Sequence, residues 1–157
     1  MRKRIITPEE QESAATAPEW LDLERLAEVE VTSEDAAHPV ESALVPGGSP
    51  GWRAAGPGRQ MIRLLFDTPQ QLRRIRLRFL ENETARTQEY VLRWSADRGH
   101  SFREITRQQW NFSPGSTTCE TEDHLVDLPA VTVLELNIIP DISGGEAVAS
   151  LARLQLA

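Results

Sequence analysis

Segments in which every second residue is apolar recur along most of the chain, a pattern typical of strands with one face on a core. The clearest is residues 87–95 (TQEYVLRWS), in which the Tyr, Leu and Trp side chains share one face. Residues 95–101 (SADRGHS) follow, with Asp97 and Gly99 placed for a tight turn, and residues 102–110 run back as a second strand. The pattern predicts a long antiparallel hairpin at the centre of the fold.

The same alternation predicts further strands on both sides of this hairpin, broken at Asp67-Thr68-Pro69 and at residues 128–130. In order, the expected strands cover about residues 29–31, 60–66, 74–79, 87–95, 102–110, 120–128, 131–139 and 148–156. The side chains expected in the core are Leu64, Phe66, Ile75, Leu77, Phe79, Tyr90, Leu92, Trp94, Leu134, Leu136 and Ile138. Some eight short strands with regular turns predict an all-β fold, a single antiparallel β-sandwich of the jelly-roll type.

The rest of the chain separates into a tail and a long connection. Residues 1–19 are polar and rich in Ala, Pro and Glu, so we expect a poorly structured N-terminal segment followed by one domain over residues 20–157. Residues 32–59 are irregular and rich in Pro and Gly, and a loop of this length in a compact domain is usually functional or disordered. Trp52 in its middle indicates that this loop is packed against the domain.

Composition narrows the classes of function. The 157 residues include 17 basic and 24 acidic side chains, a net charge of −7, which argues against binding to nucleic acid or to an anionic membrane. The single Cys119 excludes an internal disulfide. Neither a signal-peptide pattern nor an apolar run long enough to span a membrane is present, so we expect a cytoplasmic protein.

Strand parity predicts where a binding face would lie. Successive antiparallel strands cross the body in opposite directions, so alternate connections share an end. One end receives the short turns at 67–73, 95–101 and 128–130, and the other receives the longer connections at 46–59, 81–87, 111–119 and 140–147. Binding groups tend to lie on loops held by a rigid scaffold, so the long-loop end is the candidate face. The candidate ligand-binding residues there are Trp52, Arg53, Glu83, Arg86, Trp110, Asn111, Phe112 and Asp141.

Several of these residues have a structural interpretation beside the functional one. Trp110 and Phe112 can stack on a sugar or plug the end of the sandwich, as large aromatic side chains usually do. Arg86 can form a fork for ligand hydroxyls or carboxylates, or it can pair with Glu83 or Glu89.

Short segments in a fixed order resemble a known family. They are Val31-Thr32-Ser33-Glu34, Pro50-Gly51-Trp52, the strand starts at 60–64 and 75–77, residues 89–95 with the Asp97-Arg98-Gly99 turn and Phe102, and the closing residues 149–154. In this order, residues 28–157 resemble a discoidin domain, of the coagulation-factor C-type or galactose-binding-like family. The resemblance implies a jelly-roll β-sandwich that binds ligands and does not catalyse. Ligands in the family include sugars, phospholipid head groups and other proteins.

Two departures from that family bear on the ligand. Calcium-binding members resemble one another in an Asp before the Trp and a Glu in the final strand, where this chain has Val45 and Arg153. Calcium needs six to eight oxygen ligands, so we expect no family-type calcium site and no other cofactor. Arg86 matches a sugar-contacting Arg of the family, whereas the aromatic residue that sugar binders carry before the last strand is absent from residues 142–147.

No catalytic arrangement emerges from the sequence. Cys119 and His124 match no metal-ligand spacing, so a polar strand is the favoured interpretation. The arginines 63, 76, 78 and 93 lie opposite the apolar positions of their strands, as a solvated face paired with glutamates or as a surface for a protein partner.

We therefore expect a non-catalytic module that binds a carbohydrate, or another small polar ligand, through its long-loop end. The alternative is an intracellular adaptor that binds another protein through the same end or through the arginine-bearing face. The polar and aromatic mixture at the long-loop end favours the small-molecule site, and the lack of a signal-peptide pattern favours the adaptor.

Overall fold

The computed structural model describes residues 1–5, 19–47 and 50–157. Its short helices are α1 (Leu23–Leu26) and α2 (Glu41–Leu44). Its strands are β1 (Ala27–Val31), β2 (Trp52–Pro57), β3 (Gln60–Leu80), β4 (Arg86–Ser95), β5 (Arg103–Phe112), β6 (Cys119–Ile139), β7 (Val148–Leu151) and β8 (Arg153–Leu156). Most of the predicted N-terminal segment, residues 6–18, lies outside the described residues, as do residues 48–49 of the long connection. No helix in the described ranges is long and apolar enough to cross a membrane.

The strands form an antiparallel β-sandwich, which confirms the predicted all-β jelly-roll fold. The larger sheet has the order β1-β3-β6-β4-β5, and β8 also pairs with β3. A second, two-stranded sheet consists of β2 and β7. The first part of β3 pairs with β1, with Leu64 opposite Val29, and its last part pairs with β8, with Leu77 opposite Leu154. One strand therefore contributes to both layers of the sandwich.

The prediction that strands end in turns at residues 67–73 and 128–130 is wrong. β3 and β6 each run for 21 residues through these positions and pair with each other along nearly their whole length. The register between them shifts at Leu65/Gln70, Gln70/Leu72 and Leu72/Arg74. Such shifts mean that β3 has extra residues opposite β6, which bend a strand without ending it. Pro69, which has no N–H to donate, lies inside this irregular stretch. The chain therefore changes direction where the turns were predicted, but its ladder continues.

At the end of the chain, by contrast, the prediction joins two strands into one. The single strand predicted over residues 148–156 is two strands, because the chain changes partner at Ala152. β7 pairs with β2, whereas β8 pairs with β3, and the N–H of Ala152 donates to the carbonyl of Arg78 between them. Gly51 lies directly against this point with a φ of +94°, and its missing side chain leaves room for the backbone of residues 151–152.

The core follows the predicted alternation closely. Ten of the eleven side chains predicted to be buried are buried, and Trp94 is partly buried. The Phe79 and Tyr90 rings lie 5.3 Å apart between centroids in the middle of this core. Residues 131–138 are buried on both faces, which explains why their sequence is nearly continuous in apolar character.

The predicted central hairpin is confirmed as the pair of β4 and β5, with Glu89 opposite Gln109. In its turn, Asp97 accepts hydrogen bonds from the backbone N–H and the hydroxyl of Ser101, and Gly99 adopts a left-handed conformation. Arg98 donates from Nη1 to the carbonyl of Phe66 at 2.8 Å, which ties the turn to the bend of β3.

Candidate ligand-binding site

The long connections at one end of the sandwich are joined by direct contacts. The N–H of Glu81 donates to the carbonyl of Thr118 at 2.8 Å, and the N–H of Ile142 donates to the carbonyl of Thr87 at 2.9 Å. Arg86 donates from Nη1 to the carbonyl of Pro140 at 2.8 Å. These bonds bring the segments after β3, after β5 and after β6 to one place, as strand parity predicts.

An open cleft of about 520 Å³ lies between these segments. Its lining residues are Ala85, Arg86, Thr87, Asn111, Phe112, Ser113, Asp141 and Ser143. Four of the predicted site residues are among them, namely Arg86, Asn111, Phe112 and Asp141. The volume is within the usual range for sites that bind small molecules. We refer to this cavity as the loop-end cleft.

The rim of the loop-end cleft consists of fixed polar groups. Thr87 donates from its hydroxyl to Oδ1 of Asn111 at 2.6 Å, so the amide group of Asn111 is oriented and its Nδ2 has no partner within the described part of the chain. Asp141 accepts at Oδ1 from the hydroxyl of Ser143 at 2.8 Å and from its N–H at 3.1 Å. These bonds from Ser143 lower the pKa of Asp141, so its carboxylate is charged at neutral pH. The rim thus offers an amide donor and a carboxylate acceptor.

Arg86 forms the back wall of the cleft instead of the predicted fork. Its side chain is 0% exposed, and it donates from Nε to Glu81 at 2.7 Å and from Nη1 to Gln88 at 3.1 Å. The predicted pairing with Glu83 or Glu89 is therefore wrong, and Glu81 is the partner. Burial acts to raise the pKa of Glu81, but the hydrogen bond from Arg86 and two backbone N–H groups outweigh it, so the pKa is lowered.

The aromatic candidates are packed inside the domain. Phe112 is 1% exposed and lies under the guanidinium of Arg86, 4.7 Å from it, so it plugs the end of the sandwich and offers no stacking face. Trp52 is equally buried, and its indole N–H donates to the carbonyl of Ser33 at 3.0 Å. Trp110 is partly buried against the core. Of the two interpretations of Phe112, the structure therefore favours the plug, and it places the candidate binding residue Trp52 in the core, as a packed loop requires.

Two further predicted residues lie outside the loop-end cleft. Arg53 lines a separate cavity of about 130 Å³ with His38, Pro50 and Leu80. Glu83 is exposed in the connection after β3 and does not line the cleft. Strand parity places both residues at the correct end, but it does not resolve positions within that end.

Sequence reasoning missed other members of the rim. Thr87, Ser113 and Ser143 all line the cleft. All three belong to the long connections predicted at 81–87, 111–119 and 140–147, but nothing in the sequence distinguishes their hydroxyl side chains from those of other loop residues. Ile142, between Asp141 and Ser143, is 50% exposed beside the cleft.

A row of polar side chains continues from Arg86 into the sandwich. Gln88 is fully buried and donates from Nε2 to Oε1 of Glu120 at 3.4 Å. The other oxygen of Glu120 is buried and has no partner in the described ranges. Burial, together with the neighbouring carboxylate of Glu122, raises the pKa of Glu120 to about 7. Arg86 therefore lies between one charged carboxylate, Glu81, and one that is partly protonated at neutral pH.

The residues considered above in relation to metal binding make other contacts in the structure. The guanidinium of Arg153 donates to the carbonyl of Val45. Cys119 is exposed, and His124 is hydrogen-bonded through Nε2 to the hydroxyl of Tyr90 at 2.9 Å. Both residues lie in β6, in agreement with the prediction of a polar strand. The described residues contain no group of three or more His, Cys, Asp or Glu that could hold a metal ion.

No protein-family model and no curated protein matches this sequence. Solved structures do match. A family 32 carbohydrate-binding module (CBM32) of AlyQ, in complex with 4,5-unsaturated mannuronic acid, superposes with a TM-score of 0.63 at 15% identity, covering 89% of this chain and 98% of that chain. A family 32 module from C. perfringens NanJ, in complex with galactose, gives 0.60 at 14% identity, covering 83% and 92%. The C-terminal domain of a chitobiase from Bacteroides fragilis gives 0.63 at 16% identity, covering 88% and 97%.

These similarities define the class of fold. The chain has the β-sandwich fold of family 32 carbohydrate-binding modules, which is the galactose-binding-like fold that the resemblance implied. At these identities the similarity concerns the fold alone.

Proposed function

We propose that this chain is a non-catalytic carbohydrate-binding module whose site is the loop-end cleft. The observation that carries the proposal is the oriented pair of polar groups on its rim: Asn111, held by Thr87 across β4 and β5, and Asp141, held by Ser143 in the connection after β6. Structural neighbours in complex with galactose, with mannuronic acid and with GalNAc-β-1,3-galactose support the ligand class.

A sugar suits these groups because it offers hydroxyls that both donate and accept. The carboxylate of Asp141 accepts from one or two hydroxyls, and charged acceptors make the stronger hydrogen bonds. Nδ2 of Asn111 donates to a hydroxyl or ring oxygen. The exposed side chain of Ile142, which lies between Asp141 and Ser143 in the chain, would provide an apolar contact at the edge of the cleft. Arg86 and Phe112 support the wall behind the ligand and keep its shape.

The test is a titration followed by NMR with galactose and N-acetylgalactosamine, preceded by a glycan array to select the best ligand. Asn111→Ala and Asp141→Ala should each weaken binding at least about tenfold, as loss of a hydrogen bond to a charged or buried group does. Glu83→Ala is the matched control, since Glu83 is an exposed acidic residue outside the cleft, and it should bind as the unchanged protein does.

Thermal unfolding of each variant separates loss of binding from loss of folding. Asn111 is exposed and Asp141 is near the surface, so neither change should unfold the domain. Sugar binding that survives both changes would rule out the loop-end cleft. Absence of any glycan ligand, with capture of a protein partner, would instead favour the adaptor. A cytoplasmic location stays a prediction.

A further inference from the structure

A second cavity lies on the outer face of the larger sheet next to the loop-end cleft, with Glu89 in its lining where Thr87, two residues earlier in β4, lines the cleft. Because side chains alternate across a strand, the residues opposite the core positions of β3, β6, β4 and β5 share this face. One row across the four strands consists of Met61, Asn137, Val91 and Arg107, which are paired in register. Four strands at the usual spacing span about 14 Å. We refer to the cavity over this row as the sheet-face cavity.

The sheet-face cavity has a volume of about 390 Å³ and a mixed lining. Met61, Val91 and Ile139 form an apolar floor. Charged side chains surround this floor, and they comprise four arginines (59, 63, 93 and 107) against two glutamates (89 and 135). The excess of positive charge is notable on a chain whose net charge is −7. Such a cavity attracts an anion that also carries an apolar face.

Two of the arginines are already committed to an internal carboxylate. Arg63 donates from Nε and Nη2 to one oxygen of Glu135, at 3.1 and 2.7 Å, and Arg93 donates likewise to the other oxygen at 2.9 and 2.6 Å. The Phe102 ring supports both guanidinium groups, 5.6 Å from Arg63 and 4.5 Å from Arg93. Burial acts to raise the pKa of Glu135, but these hydrogen bonds outweigh it and lower the pKa. Glu30 also lies 3.8 Å from Arg63, so two carboxylates face the two guanidinium groups and the cluster is a rigid wall whose charges are largely balanced.

The other two arginines remain available at the two sides of the cavity. Arg59 is exposed and donates from Nη2 to Oδ1 of Asn137 at 3.3 Å, and no carboxylate in the described ranges lies within 4.0 Å of it. Arg107 pairs with Glu89 at 3.4 Å and with Glu104 at 3.0 Å, but its side chain is 53% exposed. Exposed pairs of this kind contribute little to stability, so Arg107 can exchange them for a ligand at low cost.

We propose that the sheet-face cavity binds a uronic acid unit of an acidic polysaccharide. The proposal rests on the proposed function, since it names the substrate class at a second place on the same module. The planar guanidinium of Arg59 matches a carboxylate, and Arg107 serves the carboxylate of a neighbouring unit or a ring hydroxyl. The apolar face of the sugar ring lies on Met61, Val91 and Ile139. No bond is made or broken.

The experiment is calorimetric titration of the full chain with tetramers of galacturonic acid and of mannuronic acid. The fully methyl-esterified galacturonate tetramer is the matched neutral ligand. We expect at least one acid tetramer to bind, the ester to bind at least about tenfold more weakly, and affinity to fall as salt is raised. Equal affinity for acid and ester, or failure of both acid tetramers to bind, would overturn the proposal.

Variants locate the site. Arg59→Gln and Arg107→Gln should each weaken uronate binding about tenfold or more, since each removes a hydrogen bond to a charged group. Arg73→Gln is the matched control because Arg73 is exposed outside both cavities, and it removes the same charge. Thermal unfolding should be unchanged in all three variants. Equal weakening by Arg73→Gln would mean that only net charge matters and would overturn the proposal.

The two proposals fail in different ways. Asn111→Ala in the loop-end cleft should weaken binding of a neutral sugar at least about tenfold and leave uronate binding intact. If Asn111→Ala abolishes uronate binding and Arg59→Gln does not, the acid binds in the cleft, and the sheet-face cavity is excluded while the proposed function stands. If no sugar of either kind binds, both proposals fall.

Discussion

The guanidinium of Arg153, in β8, donates a hydrogen bond to the backbone carbonyl of Val45, directly after α2. These are the two positions at which the family resemblance would place calcium-binding carboxylates. A permanent positive charge therefore joins the final strand to the loop after α2. This charge would repel a divalent cation, and neither residue supplies a carboxylate.

From this contact we expect stability to be independent of calcium. The melting temperature should be the same in millimolar calcium and in excess chelator, because binding to the folded state alone is what raises it. Differential scanning fluorimetry measures both conditions side by side. A rise of several degrees with calcium, reversed by chelator, would contradict the prediction.

The assignment of inward-facing side chains predicts how much the free energy of unfolding falls when one of them is truncated. Leu92→Ala and Leu136→Ala should each reduce the free energy of unfolding by about 2–5 kcal/mol, because both side chains are buried and paired across β4 and β6. Leu125→Ala is the matched control, since Leu125 is 84% exposed, and its effect should stay within about 0.5 kcal/mol. Urea unfolding measures all three. Similar losses at the buried and exposed positions would mean that the inward face is assigned wrongly.

Two glycines of the second sheet give another matched pair. Gly51→Ala should destabilise the domain strongly, because the new Cβ would lie 2.7 Å from the carbonyl oxygen of Leu151 in a backbone conformation with φ of +94°. Gly56→Ala places its Cβ in open space at an ordinary φ, so we expect stability to be unchanged or slightly raised. Circular dichroism melts measure both variants, and a melting temperature of Gly51→Ala equal to that of the unchanged protein would contradict the close approach at Gly51.

The buried carboxylate of Glu120 predicts a pH dependence of stability. Its pKa is about 7 in the folded chain against an ordinary value of 4.5, so between these values the unfolded chain releases a proton that the folded chain keeps. The free energy of unfolding should therefore fall as pH rises through this window, by on the order of 3 kcal/mol from this group. Glu122, beside it, favours the protonated form, and Arg86 favours the charged one.

Glu120→Gln provides the check, because glutamine has nothing to titrate. Urea unfolding at about pH 4.5 and about pH 8 should show the variant gaining stability relative to the unchanged protein as pH rises. Glu28→Gln, an exposed carboxylate of β1, is the control and should show no such gain. Parallel pH curves for Glu120→Gln and the unchanged protein would refute the prediction.

The sequence predicted the core well because alternation is a local property. Leu92 and Leu136 fall on the inward face in the pattern and in the structure alike. The bend of β3 at Pro69 was mistaken for a turn, because a bulge and a turn both interrupt alternation. Only the partner strand distinguishes a bulge from a turn, and at the bend that partner, β6, lies about sixty residues later in the chain, with Gln70 opposite Val131.

The site was harder to predict, since it depends on which polar side chains are buried. Strand parity brought Asn111 and Asp141 to the loop-end cleft correctly. The carboxylate partner of Arg86, Glu81, is only five residues away, but the ring of Phe112 and the carbonyl of Pro140 that enclose the side chain meet it only after the strands have paired. The sequence predicts a general pairing of the arginines with glutamates, but not the specific ion pairs of Arg63 and Arg93 with Glu135. The cavity beside these ion pairs is formed by side chains from four strands, so it cannot be predicted from any one of them.

The long paired strands β3 and β6 have a consequence for how the domain opens. At one end of their ladder Leu80 pairs with Cys119, and at the other end Gln60 pairs with Ile138. Glu81 follows the first end and Pro140 lies just after the second, yet Arg86 contacts both of them. The ladder is therefore folded back on itself, and all four of its strand ends meet near the loop-end cleft. Amide protons of residues 60–66 and 133–139 should then exchange with solvent together with those of 74–80 and 119–125, at the rate of global unfolding. The frame that carries the cleft can open only as a single cooperative unit.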